Sequence, residues 1–263
     1  MLKSAGLSQY DVVGGGGVAR LSNRAAGLIP AIRNLTNRVS ESPFAETWAS
    51  QVETTLERTN VLGAALDRVQ LEQPFAAAEA GRGSVVAKSL EQVALLIRAN
   101  AESLHNDRDA FFVQQGSMDI HSDAVGGLAA SMAVVDAALA SFEAEMKLQG
   151  MWDNIAIVQA SEFGRTLTSN GDGTDHAWGG NYFMAGGSVK GGQIVGQYPD
   201  NLGEDGATNI GRGRLVPTTS WESIWNAVGG WFGVSDGGMD IVLPNKRNFP
   251  DIFGTDELFV SNS

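Results

Sequence analysis

The sequence predicts an α/β fold, a mostly parallel sheet flanked by helices, from three consecutive segments in the middle of the chain. Residues 110–115 are prone to form a strand, and residues 154–160 are typical of a buried strand. Between them, from Asp123, apolar residues recur at spacings of four and three, the period of an amphipathic helix. A strand, a helix and a strand in this order form a βαβ unit with parallel strands. The apolar seam of the helix consists of Leu128, Met132, Val135, Leu139, Phe142 and Met146.

Three further helices are indicated on either side of this unit. Ser42 is a favourable N-cap and Pro43 a favourable first-turn residue, which predicts a helix that runs to about Ala65. Residues 88–101 carry their apolar side chains on one helical face. The third helix is expected at about residues 220–232, where large apolar side chains again lie on or near one face.

Short strands and glycine pairs follow the βαβ unit. Residues 181–185 and 193–197 have Gly-Gly pairs between them, which indicates a hairpin. The same turn explains the glycines around Lys190 more simply than an anion-binding loop does. We expect two regions, a helical N-terminal segment (residues 1–87) that continues a domain begun upstream, and an α/β metal-binding core with a C-terminal wrap (residues 88–263).

Composition narrows the range of functions. The 263 residues carry a net charge of -12, and no cluster of Lys and Arg provides the surface that a nucleic acid needs. The absence of cysteine leaves oxygen and imidazole nitrogen as the metal ligands. No uninterrupted apolar run approaches the length of a membrane span, and the N-terminus lacks the pattern of a signal peptide. We therefore expect no nucleic-acid partner and no membrane span.

Two Asp/His pairs are the main sign of a chemical function. Asp119 and His121 are separated by one residue, so in an extended segment both side chains lie on one side of the backbone. Asp175 and His176 are adjacent in a glycine-rich loop, where they can reach one ion or two neighbouring ions. Carboxylate with imidazole suits zinc, manganese or iron better than calcium. In the alternative, Asp119 caps a helix, Asp175 is a turn residue, and both histidines bind only backbone groups.

Residues at the end of the second predicted strand are candidates for catalysis. Glu162 is expected to be a metal ligand or a general base, and Arg165 a bidentate clamp for a phosphate or sulfate oxygen. Alternatively, these two side chains form solvated ion pairs with each other or with neighbouring residues. The hydroxyls of Ser117, Thr166 and Thr168 are weaker candidates for a nucleophile, since isolated hydroxyls are usually ordinary loop residues.

Two other features are interpreted as structural. His105 comes at the end of a predicted helix, where the macrodipole favours a cation. Trp221, Trp225 and Trp231, in the last predicted helix, are expected to be core residues and not a cage for a ligand. We therefore assign neither feature to a binding site.

Several short motifs in a fixed order resemble the domain of unknown function 1501 family. Asp119 and His121 stand in Gly-Ser-Met-Asp-Ile-His, which is similar to the family's Gly-Gly-Trp/Phe-Asp-Thr-His segment, although Ser, Met and Ile depart from it. Ala177 stands where the family usually has glycine. The other matching motifs are Ser161-Glu162-Phe163-Gly164-Arg165, Gly173-Thr174-Asp175-His176, Gly186-Gly187-Ser188-Val189-Lys190-Gly191-Gly192 and Tyr198-Pro199.

The resemblance implies a metal-dependent hydrolase. The family is similar to the alkaline phosphatase and sulfatase superfamily, whose members hold one or two divalent ions at the carboxyl edge of an α/β sheet. It implies a small phosphate or sulfate ester as substrate and four metal ligands: Asp119, His121, Asp175 and His176. Glu162 would be a ligand or base and Arg165 the anion clamp. Family members are often exported, although this sequence predicts no signal peptide.

The resemblance also implies that a part is missing. Family members carry a Gly-Gly-Asn-Asp-Gly type segment after their first strand, and no such segment precedes Gly116. We therefore expect an alkaline phosphatase-like fold that lacks its N-terminal part, with another chain or segment supplying the absent strands. The alternative to a hydrolase is a catalytically incomplete metal-binding protein with a structural or partner-binding role.

Overall fold

The chain forms two compact units. The computed structural model describes residues 13–14, 17–18, 27–73, 75, 84–116 and 118–260, so the candidate nucleophile Ser117 lies outside the described residues. The first unit comprises Met1–Gln115 and Ala133–Glu145, and the second comprises Gly116–Met132 and Met146–Ser263.

The first unit is built mainly from helices. Its elements are β1 (Val13–Gly14), β2 (Gly17–Val18), α1 (Ile29–Thr36), α2 (Pro43–Leu66) and α3 (Ser84–Ala99), and a π-helical turn, Asn100–Leu104, follows α3. The two strands form an antiparallel pair. Ser42 is the N-cap of α2, as predicted, and the predicted amphipathic helix at residues 88–101 corresponds to α3 and its extension. Ala65, Val69 and Ala99 form a buried cluster.

The longest helix among the described residues is α4 (Ala124–Leu148), which confirms the helix predicted from Asp123. By length and composition alone it could cross a membrane, because its most apolar 18-residue window has a mean hydropathy of 1.7. Only 11% of that window is buried, whereas a core helix of a soluble protein with this length and hydropathy is mostly buried. Glycine, serine and Asp136 interrupt the apolar run in α4, whereas its alanine, valine and leucine residues keep the mean hydropathy high.

A buried carboxylate holds the loop that follows α2. Glu145 is fully buried and belongs to the first unit. One of its carboxylate oxygens accepts a hydrogen bond from the backbone N–H of Gln73 at 2.9 Å, and the other accepts from that of Glu72 at 3.3 Å. The loop is fastened further by the ion pair between Arg98 and Glu72, at 3.6 Å.

The second unit combines short strands with helices near its C-terminal end. Its elements, besides the ends of α4, are β3 (Ile157–Val158), β4 (Gly164–Arg165), β5 (His176–Ala177), β6 (Met184–Ala185), α5 (Trp221–Trp231), α6 (Asp236–Val242) and α7 (Thr255–Leu258). The side chain of Ser220 caps α5 by accepting from Ser223 N–H. Ala227, Leu258 and Phe259 form the buried cluster on which Trp231 packs. Trp231 therefore packs against the core as predicted, whereas Trp225 is 39% exposed, so the prediction of a core position is wrong for Trp225.

The predicted fold class is wrong. Among the described residues the strands pair antiparallel and are two residues long, so there is no mostly parallel sheet of the alkaline phosphatase type. Residues 110–115 form no strand, and Phe112 is 57% exposed. The predicted strand at 154–160 is reduced to β3, which pairs antiparallel with β6.

The predicted hairpin is wrong for a related reason. Its first half contains β6, but its second half, residues 193–197, is exposed throughout and forms no strand. A strand is stable only when it has a partner and a face to bury, and neither is visible in the local sequence. β6 therefore pairs with β3, which lies nearly thirty residues earlier in the chain.

Candidate metal centre

Two loops of the second unit lie directly against each other. The first contains a tight turn in which Ile120 N–H donates to the carbonyl oxygen of Met118 at 3.0 Å. A Cβ at Gly173, in the second loop, would collide with the carbonyl oxygen of His121, so only glycine permits this approach. Asn170 Nδ2 donates to the same carbonyl oxygen at 3.3 Å. The two Asp/His pairs are brought together in this way.

The pairing of β4 with β5 sets the directions of the Asp175 and His176 side chains. His176 stands directly opposite Arg165 in the antiparallel register, so their side chains share one face. Asp175 directly precedes β5, and Thr166 N–H donates to its carbonyl oxygen at 2.9 Å. Because successive residues of an extended segment point to opposite faces, His176 and Asp175 diverge.

Three side chains converge on one point. The Nε2 atoms of His121 and His176 each lie 2.9 Å from Oδ1 of Asp119, and 3.2 Å from each other. Two ligands held about 2.1 Å from a tetrahedral or octahedral ion stand about 3.0–3.4 Å apart. Two imidazole nitrogens and one carboxylate oxygen also form a donor set known for zinc and for iron. Asp119, His121 and His176 can therefore hold a metal ion.

The three candidate ligands are accessible to solvent. Their side chains are 52% (Asp119), 47% (His121) and 51% (His176) exposed. A hydrogen bond from His176, followed by one from Arg165, holds the pKa of the Asp119 carboxyl below its ordinary value. Asp119 is consequently ionised at neutral pH, the form in which a carboxylate binds a metal.

The family model described as "Protein of unknown function (DUF1501)" matches residues 16–210, more than half of the chain. The chain belongs to the DUF1501 family. The match includes both Asp/His pairs and the segment around Arg165 on which the resemblance was based. No curated protein and no solved structure matches the chain. Family membership leaves the function to be inferred from the site.

Asp175, the fourth predicted ligand, lies at the other edge of the His121 ring. Its Oδ1 is 3.5 Å from Nδ1 of His121 and accepts a hydrogen bond from Asn170 Nδ2 at 3.0 Å. Its Oδ2 accepts from Arg212 at 2.8 Å. The hydrogen bonds from Asn170 and then Arg212 hold the pKa of Asp175 below its ordinary value. In this structure Asp175 contacts a candidate ligand and lies outside the converging group.

Arg165, the predicted anion clamp, is engaged within the protein. One terminal nitrogen donates to Asp119 Oδ1 at 2.8 Å, and the other donates to the carbonyl oxygen of Ile120. Its Nε donates to Thr174 Oγ1 at 3.1 Å. Hydrogen bonds from all three guanidinium nitrogens therefore link the two loops.

The neighbours of Arg165 also differ from expectation. Glu162 is exposed and accepts from Ser161 Oγ at 3.4 Å, and the group that can hold a metal does not include it. Phe163 stacks on the ring of His176, with centroids 3.9 Å apart and planes inclined by 16°. Burial raises the pKa of Tyr182, and the charge of Glu162 adds to this. Sequence reasoning missed Phe163, whose stacking restricts the ring of His176, one of the candidate ligands.

The remaining candidates have structural partners. Thr166 Oγ1 donates to the carbonyl oxygen of Thr168 and accepts from Asp175 N–H, and Thr168 Oγ1 donates to Glu204. The ammonium group of Lys190 donates to the carbonyl oxygen of Asp256. His105 ends the π-helical turn in a left-handed conformation, which confirms its position at a helix end.

Sequence reasoning also missed Arg212, which contacts Asp175. Arg212 stands between two glycines in Gly211-Arg212-Gly213. A charged residue enclosed by glycines in a loop was the signal that could have identified it, because such a turn brings a side chain to a fixed place.

Proposed function

We propose that this DUF1501 chain is a metal-dependent hydrolase of small phosphate or sulfate esters. The convergence of Asp119, His121 and His176 supports the proposal. Three protein ligands leave coordination positions for water and substrate, the arrangement of catalytic metal sites. The exposure of the ligands allows an ester to reach the ion from solvent. Zinc, manganese and iron are the ions that suit this donor set.

The residues of the chain would bind and orient, while the ion supplies reactivity. A divalent ion held here supplies Lewis acidity to an ester oxygen and activates water as a nucleophile at neutral pH. Asp119 contributes the one negative charge of the donor set, and Arg165 fixes its orientation. Phe163 restricts rotation of the His176 ring. The proposed similarity to alkaline phosphatases and sulfatases rests on the Asp/His motifs and their chemistry.

The second candidate function is metal binding without catalysis. It is favoured by the engagement of Arg165, whose guanidinium nitrogens donate to Asp119, Ile120 and Thr174. Glu162, the other residue predicted for catalysis, is not part of the converging group. A structural or partner-binding protein would need the ion and not these two residues.

Turnover by the metal-loaded chain separates the two functions. We would measure hydrolysis of p-nitrophenyl phosphate and p-nitrophenyl sulfate with zinc, manganese or iron(II) added. The hydrolase proposal predicts turnover that His176→Ala abolishes and that His105→Asn, a substitution of the histidine outside the site, leaves intact. Tight metal binding with no turnover of either ester would favour the binding function. Turnover that survives in His176→Ala would show that the activity arises elsewhere.

A further inference from the structure

The imidazole of His121 lies between two carboxylates. Its Nε2 faces Asp119 at 2.9 Å and, with His176, the point where an ion would bind. Its Nδ1 faces Oδ1 of Asp175 at 3.5 Å. Metal-binding histidines commonly donate the N–H of the second ring nitrogen to a carboxylate, which fixes the tautomer and the orientation of the ring. Asp175 stands at the ring edge where such a carboxylate lies, at an ion-pair distance that is longer than a hydrogen bond.

Asp175 is held in turn by Arg212. The guanidinium donates to Oδ2 of Asp175 at 2.8 Å, and Asn170 occupies Oδ1 at 3.0 Å. Both carboxylate oxygens of Asp175 thus have donors besides His121. This arrangement places the carboxylate at the Nδ1 edge of the ring, away from the side on which Nε2 meets the other ligands.

The backbone of Arg212 is constrained to present its side chain. Gly211, Arg212 and Gly213 all have positive φ, at 94°, 58° and 66°, and this conformation is unusual for arginine. Gly213 lies so close to Leu167 that a Cβ at this position would be 2.7 Å from the Leu167 backbone nitrogen. Glu204 accepts a hydrogen bond from Arg212 N–H at 3.0 Å. Left-handed non-glycine residues persist where surrounding contacts determine them, and functional sites are where they cluster.

We propose that Asp175 and Arg212 are positioning residues of the metal centre, with Asp175 holding Nδ1 of His121 and Arg212 holding Asp175. The inference rests on the proposed metal binding. It replaces the expectation that Asp175 is itself a ligand. The same chain of contacts extends to Glu204, which fixes the backbone of Arg212 and also accepts from Thr168 Oγ1 at 2.7 Å.

The dissociation constant for zinc tests the proposal in the full chain. Arg212→Gly removes the guanidinium while giving the left-handed position the residue that suits it best. Asp175→Ala removes the carboxylate, and Asp175→Asn keeps its shape and one acceptor oxygen. We expect Arg212→Gly and Asp175→Ala to weaken zinc binding by about 10–100-fold, and Asp175→Asn to weaken it less. Each variant should still bind one zinc ion per chain.

His105→Gly is the matched control for the change at Arg212. His105 has a φ of 55°, close to the 58° of Arg212, and lies in the other unit. The His105→Gly substitution should leave the dissociation constant for zinc unchanged. A purely structural role for Arg212 predicts instead that Arg212→Gly lowers the melting temperature of the metal-free protein relative to the control. Weaker zinc binding at an unchanged metal-free melting temperature therefore identifies positioning.

The absorption spectrum of the cobalt(II)-loaded protein distinguishes positioning from ligation. A positioning residue leaves the number and type of ligands unchanged, so Asp175→Ala should keep the wild-type d–d bands. Altered bands in this variant would make Asp175 a ligand and overturn the inference. Wild-type zinc affinity in both Arg212→Gly and Asp175→Ala would overturn it while leaving the proposed function standing. If the wild-type chain binds no zinc, manganese or iron, both this inference and the proposed function are wrong.

Discussion

The two units use carboxylates in opposite ways. In the first unit, Glu145 is fully buried and its two oxygens accept backbone N–H groups, which holds a loop in place. In the second unit, Asp119 is half exposed and receives two imidazoles and a guanidinium on one oxygen. The difference indicates that the Glu145 carboxylate serves stability, because burial strengthens a hydrogen bond, and it fits the proposed role of the exposed Asp119 in binding an ion.

Removal of the Asp119 carboxylate should have the largest effect on binding. Asp119→Ala deletes the only anionic ligand of the converging group, so we expect zinc affinity to fall by more than the roughly 100-fold that an outer contact can cost. Isothermal titration calorimetry would measure this. Asp172→Ala, which removes an exposed carboxylate in the Gly173 loop, is the control. Equal affinity of the two variants would contradict the special role of Asp119.

Acidification should release the ion before it affects the carboxylate. Imidazole binds a metal only when neutral, so protons compete with the ion for the ring nitrogens, and we expect zinc affinity to fall by roughly tenfold or more per pH unit on acidification. The pKa of Asp119 is lowered, so the contacts of its ionised carboxylate contribute their full stabilisation above the ordinary carboxyl pKa. This stabilisation is lost as the pH falls through the lowered pKa.

Equilibrium dialysis with zinc between pH 8 and pH 5 measures this dependence. Zinc that is retained without loss at pH 5 would show that the imidazoles are not the ligands. Glu145→Gln, a change in the other unit, should leave the pH profile of zinc binding unaltered, because the histidines and Asp119 are intact.

Removal of the buried carboxylate should affect stability instead. Glu145→Ala leaves the N–H groups of Glu72 and Gln73 without their charged acceptor, and we expect the free energy of unfolding to fall by about 2–3 kcal/mol. Urea denaturation would measure this. Glu145→Gln keeps an acceptor oxygen and should lose less. If Asp119→Ala destabilises the metal-free chain as much as Glu145→Ala does, the distinction between the two carboxylates is lost.

The smallest effect is expected at Phe163. Phe163→Leu keeps an apolar contact but removes the stacking on His176, an interaction worth about 0.5–1.5 kcal/mol between aromatic rings. We expect zinc affinity to weaken by roughly two- to tenfold, measured by competition with a chromophoric chelator. Phe249→Leu, at a phenylalanine 38% exposed in the C-terminal region, is the control. Affinity unchanged from the control would show that the stacking does not position His176.

The helices could be predicted from the sequence because their signals are local. Ser42 and Ser220 were identified as helix starts, and the apolar spacing after Asp123 predicted α4. Each of these signals lies within a few residues of the structure it specifies. β3 and β6 lie within segments predicted as strands, but their antiparallel pairing could not be predicted, because no local pattern identifies β6 as the partner of β3.

The site was predictable in its residue types and not in its roles. Asp119, His121 and His176 are distinctive in a chain with three histidines. Arg165, expected as an anion clamp, donates to Asp119 and Ile120, about 45 positions earlier in the chain, and no local pattern predicts these contacts. Arg212 stands between two glycines, which marks a turn, but its partner Asp175 lies 37 positions earlier and no local pattern identifies that contact.

X-ray absorption at the zinc edge tests the central claim most directly. The full chain would be loaded with one equivalent of zinc, dialysed and measured. We predict one retained zinc ion per chain, with two imidazole ligands and the remaining ligands oxygen, and one imidazole fewer in His121→Ala. A spectrum with no imidazole or a single imidazole in the wild type, or loss of the zinc on dialysis, would contradict a centre formed by Asp119, His121 and His176.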